Sequence, residues 1–186
     1  MTDGSPLTPE QQQELEDAKG RTGSFMGAAK VASFNTWTFG VFAVLSILTG
    51  FGSLPVLLVG VGLAIVARNE HLGRERILDF QPAAFDLLWK NQVALMAIII
   101  AYCLWAMYNT ATGPPDPSLE ELAETLGDDV VGLVQQLTMT VYVVVIGATV
   151  IFQGLNARYY HVRMARLQEY VDRTPAWVLD LQRSVQ

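Results

Sequence analysis

The chain has 186 residues, of which 51% are hydrophobic and 16% charged, with twelve Lys/Arg against eighteen Asp/Glu and a net charge of −6. An average soluble domain carries about 25% charged residues, so this chain is depleted in charge. The acidic balance excludes a basic nucleic-acid binder, and a single cysteine excludes a disulfide scaffold or a cysteine-based metal cluster within one chain.

Before the first apolar block, residues 1–30 read as a cytoplasmic tail with one short helix. Thr8-Pro9-Glu10-Gln11 supplies an N-cap, a proline at the first helical position and a capping-box glutamine. That helix is expected to run to about Lys19 and to stop before Gly20. An acidic, Gln-rich stretch precedes the first apolar block, and no short h-region with a small-residue cleavage site is present. The block therefore reads as a retained membrane helix, not a secretory signal.

Four apolar blocks follow: Val31–Gly50, Leu54–Ala67, Gln92–Tyr108 and Val130–Leu155, none containing Asp, Glu, Lys, Arg or His. A spanning helix needs about 20 mostly apolar residues to cross ~30 Å of hydrocarbon. The second block is short, its fourteen residues covering only ~21 Å. Two readings follow: a full crossing helped by Phe51–Ser53 and a snorkelling Arg68, or a re-entrant hairpin. The turn Gly50-Phe51-Gly52-Ser53-Leu54-Pro55 makes the first two helices antiparallel neighbours in either case. The expected fold is an all-α integral membrane protein with four transmembrane helices, a hairpin plus two longer helices, and short interfacial helices. Residues 31–157 form the membrane domain and residues 158–186 a cytoplasmic helical extension.

Orientation follows from the basic residues. Lys19, Arg21 and Lys30 precede the first block; Arg68, Arg74, Arg76 and Lys90 lie between the second and third. Arg158, Arg163, Arg166, Arg173 and Arg183 follow the fourth, and the segment Asn109–Asp129 has none. The positive-inside rule places both termini and the 68–91 loop in the cytoplasm, in agreement with an even number of crossings. Brief loops and small size suggest a cell inner membrane. The six acids of the outer segment (Asp116, Glu120, Glu121, Glu124, Asp128 and Asp129) equal the whole net charge. They are a solvated loop or a cation-concentrating vestibule. Ser118 to Glu121 reads as a capping box opening a short helix with Leu119, Leu122 and Leu126 on one side.

The inner loop reads as a helix from about Glu70 to Asp79, broken at Gln81-Pro82, with Phe80, Phe85, Leu88 and Trp89 suited to the headgroup level. After the fourth block the helix is expected to continue to Tyr170. Thr174-Pro175 then starts a last short helix whose Trp177, Val178 and Leu181 face the membrane, a partner or the protein's own 68–91 loop.

The fourth span carries the informative pattern. At 100° per residue Asp128, Gln135, Thr138, Tyr142, Thr149, Gln153 and Asn156 fall within a sector of about 80°. Gly132, Gln136, Thr140, Gly147 and Gly154 form a second set beside them. Such residues serve interhelical hydrogen bonding and close backbone approach, or they line a wet path. Ala94, Ala97 and Ala101 in the third span, and Gly60 with Ala64 in the second, offer matching small surfaces. Asn35, Thr38, Ser46 and Thr49 repeat the polar pattern more weakly in the first.

No ionisable residue lies inside a span, which argues against coupled transport. His71, Glu75 and Asp79 share a helix face, but with Arg74 and Arg76 alongside they read as a solvated face, and no metal or other cofactor is expected. Arg158, Arg163 and Arg166 suit anionic lipid headgroups or serve simply as a positive flank. Cys103, mid-span, reads as packing. No nucleophile–base–acid set points to an enzyme. The sequence therefore suggests a non-catalytic scaffold or accessory subunit, assembling with itself or a membrane-protein partner. The alternative is an oligomeric pore with a neutral polar lining from the fourth span.

Overall fold

Thr8 opens the first helix as the sequence predicts. Its hydroxyl accepts from the Gln11 amide, and the Gln11 side chain accepts from the Thr8 amide. The computed structural model describes residues 7–114 and 129–185. Its elements are α1 (Pro9–Thr49), a single 3-10 turn (Gly50–Gly52), α2 (Leu54–Leu78), α3 (Ala83–Thr112), α4 (Asp129–Arg173) and α5 (Ala176–Ser184). The all-α class holds, and four of these helices are long and apolar enough to cross a membrane. The outer-segment acids from Asp116 to Asp128, the 118–121 capping box and the leucines at 119, 122 and 126 lie outside the described residues, as does the side chain of Asp129.

Helices adjacent in sequence are adjacent in space, and α1 closes on α4 at the end that carries both chain ends. The 3-10 turn lies at the opposite end. Leu54, Pro55 and Leu58 line a groove together with Ala101 and Trp105 of α3, so α2 runs beside α3 along its whole apolar length. Its 25 residues correspond to a rise of ~37 Å. The short apolar block is thus the first half of a longer helix, Leu54–Leu78, which as a whole is long and apolar enough to cross.

The tail does not stop at Gly20. α1 runs unbroken for 41 residues through Gly20, Gly23 and Gly27. Each interior glycine costs about 1 kcal/mol of helix propensity relative to alanine. Burial offsets this, because Ala18, Phe25, Ala28, Ala29 and Ala32 face a core that lies outside the apolar blocks except for Ala32 at the edge of the first. That core also takes Ile77, Phe80, Ala84, Phe85 and Leu88 from the α2–α3 corner, Tyr160, Leu167 and Tyr170 from α4, and Val178 and Leu179 from α5. Fully burying a side chain such as Phe or Leu is worth about 1.5–3 kcal/mol, so tertiary packing outweighs the local stop signal. For the same reason Phe80, Phe85 and Leu88 are interior residues and not headgroup contacts. The last helix rests on the protein itself: Val178 and Leu179 are buried, Trp177 packs against them, and Leu181 stays partly exposed.

The α2–α3 corner falls where Gln81-Pro82 predicts it. Gln81 N–H donates to Arg76 O at 2.8 Å and Phe80 N–H to Ile77 O at 3.0 Å, the hydrogen bonds of a Schellman cap. Phe80 occupies the left-handed position with φ 56°, where glycine is usual. The conformation costs a bulky residue roughly 1–2 kcal/mol. The ring recovers it by joining a three-ring cluster, 6.2 Å from Phe25 and 5.6 Å from Tyr170, which lie 5.0 Å from each other.

Candidate functional site

Where the platform-side ends of the apolar blocks meet the outer core lies a polar layer organised around Glu70. On α2, Val66, Glu70, Gly73 and Ile77 recur at intervals of four, three and four residues, and all four are buried. Glu70 therefore occupies a core position of the helix, one turn past the last apolar residue of its block. Gly73 makes the close approach possible, since a Cβ there would stand 2.4 Å from Leu88 Cδ2.

Three other helices reach the Glu70 carboxylate. Asn91 Nδ2 donates to Oε1 at 2.9 Å and Gln92 Nε2 to the same oxygen at 2.7 Å. Asn35 Nδ2 and the Tyr160 hydroxyl donate to Oε2 at 3.3 and 3.1 Å. Asn91 is itself oriented by donating to Val66 O at 3.0 Å and accepting from Asn69 Nδ2 at 3.1 Å. Each of α1 to α4 thus contributes to one closed network in which the carboxylate is the common acceptor.

Glu70 has no exposed surface and makes no ion pair among the described residues. Glu70 and Tyr160 both lie outside the apolar blocks. Burial pushes the Glu70 carboxyl up, and the hydrogen bonds from Asn91, Asn35, Tyr160 and Gln92 offset only part of that. The Tyr160 phenol is pushed up by burial and by the neighbouring carboxylate. Gln92 Oε1 is buried with no partner among the described residues. Rotating this amide would present an acceptor to a protonated Glu70, so the site can take up a proton with little rearrangement.

The periodicity of Val66, Glu70, Gly73 and Ile77 was the available signal for this site. A helix start assigned at Glu70 conceals it, because the residue then reads as a solvated first-turn acid. Asn35 stands out in sequence only as part of a weak polar pattern, and Gln92 only as the edge of a block.

The stripe of the fourth span is turned largely toward α3. Gln135 Nε2 donates to Thr110 O at 2.8 Å, Tyr142 faces Tyr102 and Cys103, and Thr149 is buried. Thr138, Gln153 and Asn156 are half-buried, and Gln153 Oε1 has no partner among the described residues. The small residues behave differently. Gly132, Gly147 and Gly154 are exposed, and a Cβ on any of them would meet nothing within 4 Å among the described residues. Ala64, Ala94, Ala97 and Ala101 are exposed as well. Of the four glycines in these sets, Gly60 alone makes a close helix contact among the described residues, with Ile47 N 3.0 Å from its would-be Cβ.

Of the three arginines after the fourth span, Arg158 is exposed. Arg163 stacks on Tyr159 at 3.4 Å from the ring centroid, and its side chain donates to Tyr159 O at 3.3 Å. Arg166 lines a shallow notch with Arg21 and Arg173, well beyond the apolar blocks. No protein-family model matches the chain, and neither the curated proteins nor the solved structures contain one similar to it.

Proposed function

We propose that this chain is a non-catalytic, multi-pass membrane subunit that carries a helical platform outside the bilayer and assembles through the open glycine face of α4. The observation that carries the reading is the division of labour on that helix. The polar stripe is largely engaged with α3, while Gly132, Gln136, Thr140, Gly147 and Gly154 remain exposed on an adjoining face. Small residues on a membrane helix let a second backbone approach closely, and neighbouring amides and hydroxyls add hydrogen bonds. Two unbroken helices, α1 and α4, of 41 and 45 residues, join the platform to the membrane part. Attachment at the glycine face therefore positions the platform too. The lysines and arginines gathered at the platform end support a cytoplasmic location for both termini, in a cell inner membrane.

The test is the assembly state in native membranes or lipid nanodiscs. Gly147→Leu and Gly154→Leu should break an assembly that wild type forms with itself or a membrane-protein partner, while Leu137→Ala on the lipid side leaves it intact. A wild-type chain that is monomeric and unaccompanied in lipid would overturn the proposal. So would glycine variants that assemble normally, and altered ion flux with intact assembly would favour a conducting role for the fourth span.

A further inference from the structure

On the face of the α1–α2 hairpin runs a groove of about 500 Å³, lined by Thr36, Trp37, Gly40, Val41, Val44, Ala67, Arg68 and His71. Its composition changes along its length. Trp37, Arg68 and His71 are exposed at one end, level with the boundary between the apolar blocks and the platform. From there the floor is Gly40, Val41 and Val44, wholly apolar over a rise of ~6 Å along α1. Gly40 leaves the floor open, since a Cβ there would meet nothing within 4 Å.

We propose that this groove is a binding site for an anionic phospholipid, with one acyl chain over Gly40, Val41 and Val44 and the headgroup phosphate at Arg68. Charge and depth both select this occupant. Arg68 is exposed and makes no ion pair among the described residues, so its guanidinium is free to take a phosphate bidentately. His71 stands one turn further out, held by Glu75 at 3.3 Å, and offers its ring edge to the same headgroup region. Lys30 lies on the Trp37 face of α1 two turns toward the platform, exposed and within the zone where headgroup charge is felt. Trp37, 75% exposed, stands at the level where interfacial tryptophans gather. A polar solute would find only alkyl surface beyond this mouth. A second protein helix would leave the unpaired Arg68 without an anion.

The experiment uses the full chain in vesicles of equal phosphatidylcholine and phosphatidylglycerol, with one or the other lipid brominated. The Trp37 share of fluorescence quenching is taken as the difference from Trp37→Phe. Brominated phosphatidylglycerol should quench Trp37 preferentially, and Arg68→Gln should reduce that preference roughly fivefold, the effect of one basic group near an anionic surface. Arg68→Lys should restore part of it. Gly40→Leu, which fills open space without disturbing a contact, should reduce quenching by both lipids. Arg158→Gln, exposed on α4, should leave the Trp37 preference unchanged. No preference for phosphatidylglycerol in wild type, an unaltered preference in Arg68→Gln, or an equal loss in Arg158→Gln would overturn the proposal. Protection of Trp37 from both brominated lipids would do so too, because it would mean that a protein fills the groove.

Discussion

Replacing Glu70 by glutamine tests whether the buried network contains an uncompensated carboxyl. The two side chains are nearly the same size, so packing around Gly73 and Leu88 is retained. The glutamine amide has to turn its nitrogen toward one pair of donors. The better choice is the Tyr160 side, because a phenol oxygen can accept as well as donate. One hydrogen bond is then weakened, at about 1 kcal/mol. Against this, the variant loses ionisation altogether. Because burial raises the carboxyl in the fold above its ordinary value of 4.5, the folded chain holds a proton that a water-exposed Glu70 would release. The stability linked to that proton is fully present below about pH 4.5 and is lost as pH rises through the folded-state value. Within that window the loss is about 1.4 kcal/mol per pH unit. For a chain of this size that is about 3–5 °C of melting temperature per unit. Thermal denaturation in detergent, followed by tryptophan fluorescence at a series of pH values, reads the difference between wild type and Glu70→Gln. Wild type should be the more stable at acid pH, with its advantage shrinking and then reversing as pH rises. A difference that stays flat, or that grows with pH, would refute the argument; growth would mean that a cation compensates the carboxylate.

Gly60→Ala and Gly73→Ala should each destabilise the chain by about 1–3 kcal/mol through overpacking, because their new Cβ atoms would meet Ile47 and Leu88. Gly23→Ala, with nothing within 4 Å, should be neutral or slightly stabilising in the same melting assay. Val178→Asp should detach α5 from the platform by placing an unpaired carboxylate in the core. Limited proteolysis would then cut near Pro175 in the variant and spare it in wild type.

Much of the architecture is determined by the sequence alone, and for simple reasons. Apolar runs free of ionisable groups have one low-energy place to go, so the four membrane helices are readable from composition and length. The Gln81-Pro82 corner and the Thr8 cap are equally local, since each depends on neighbouring backbone donors and acceptors. The clustering of basic residues is a property of the chain before it folds.

What tertiary structure decided is everything that depends on which faces meet. The continuation of α1 through Gly20 rests on Phe25 finding Phe80 and Tyr170, residues far away in the chain. Glu70 becomes a shared acceptor only because Asn35, Asn91, Gln92 and Tyr160 arrive from three other helices, and no local window contains them all. The two polar sets of α4 look alike along the helix, yet one lies mostly against α3 and the other stays open. That difference is set by the rotation of α4 about its own axis, which periodicity leaves undefined until a neighbouring helix is in place.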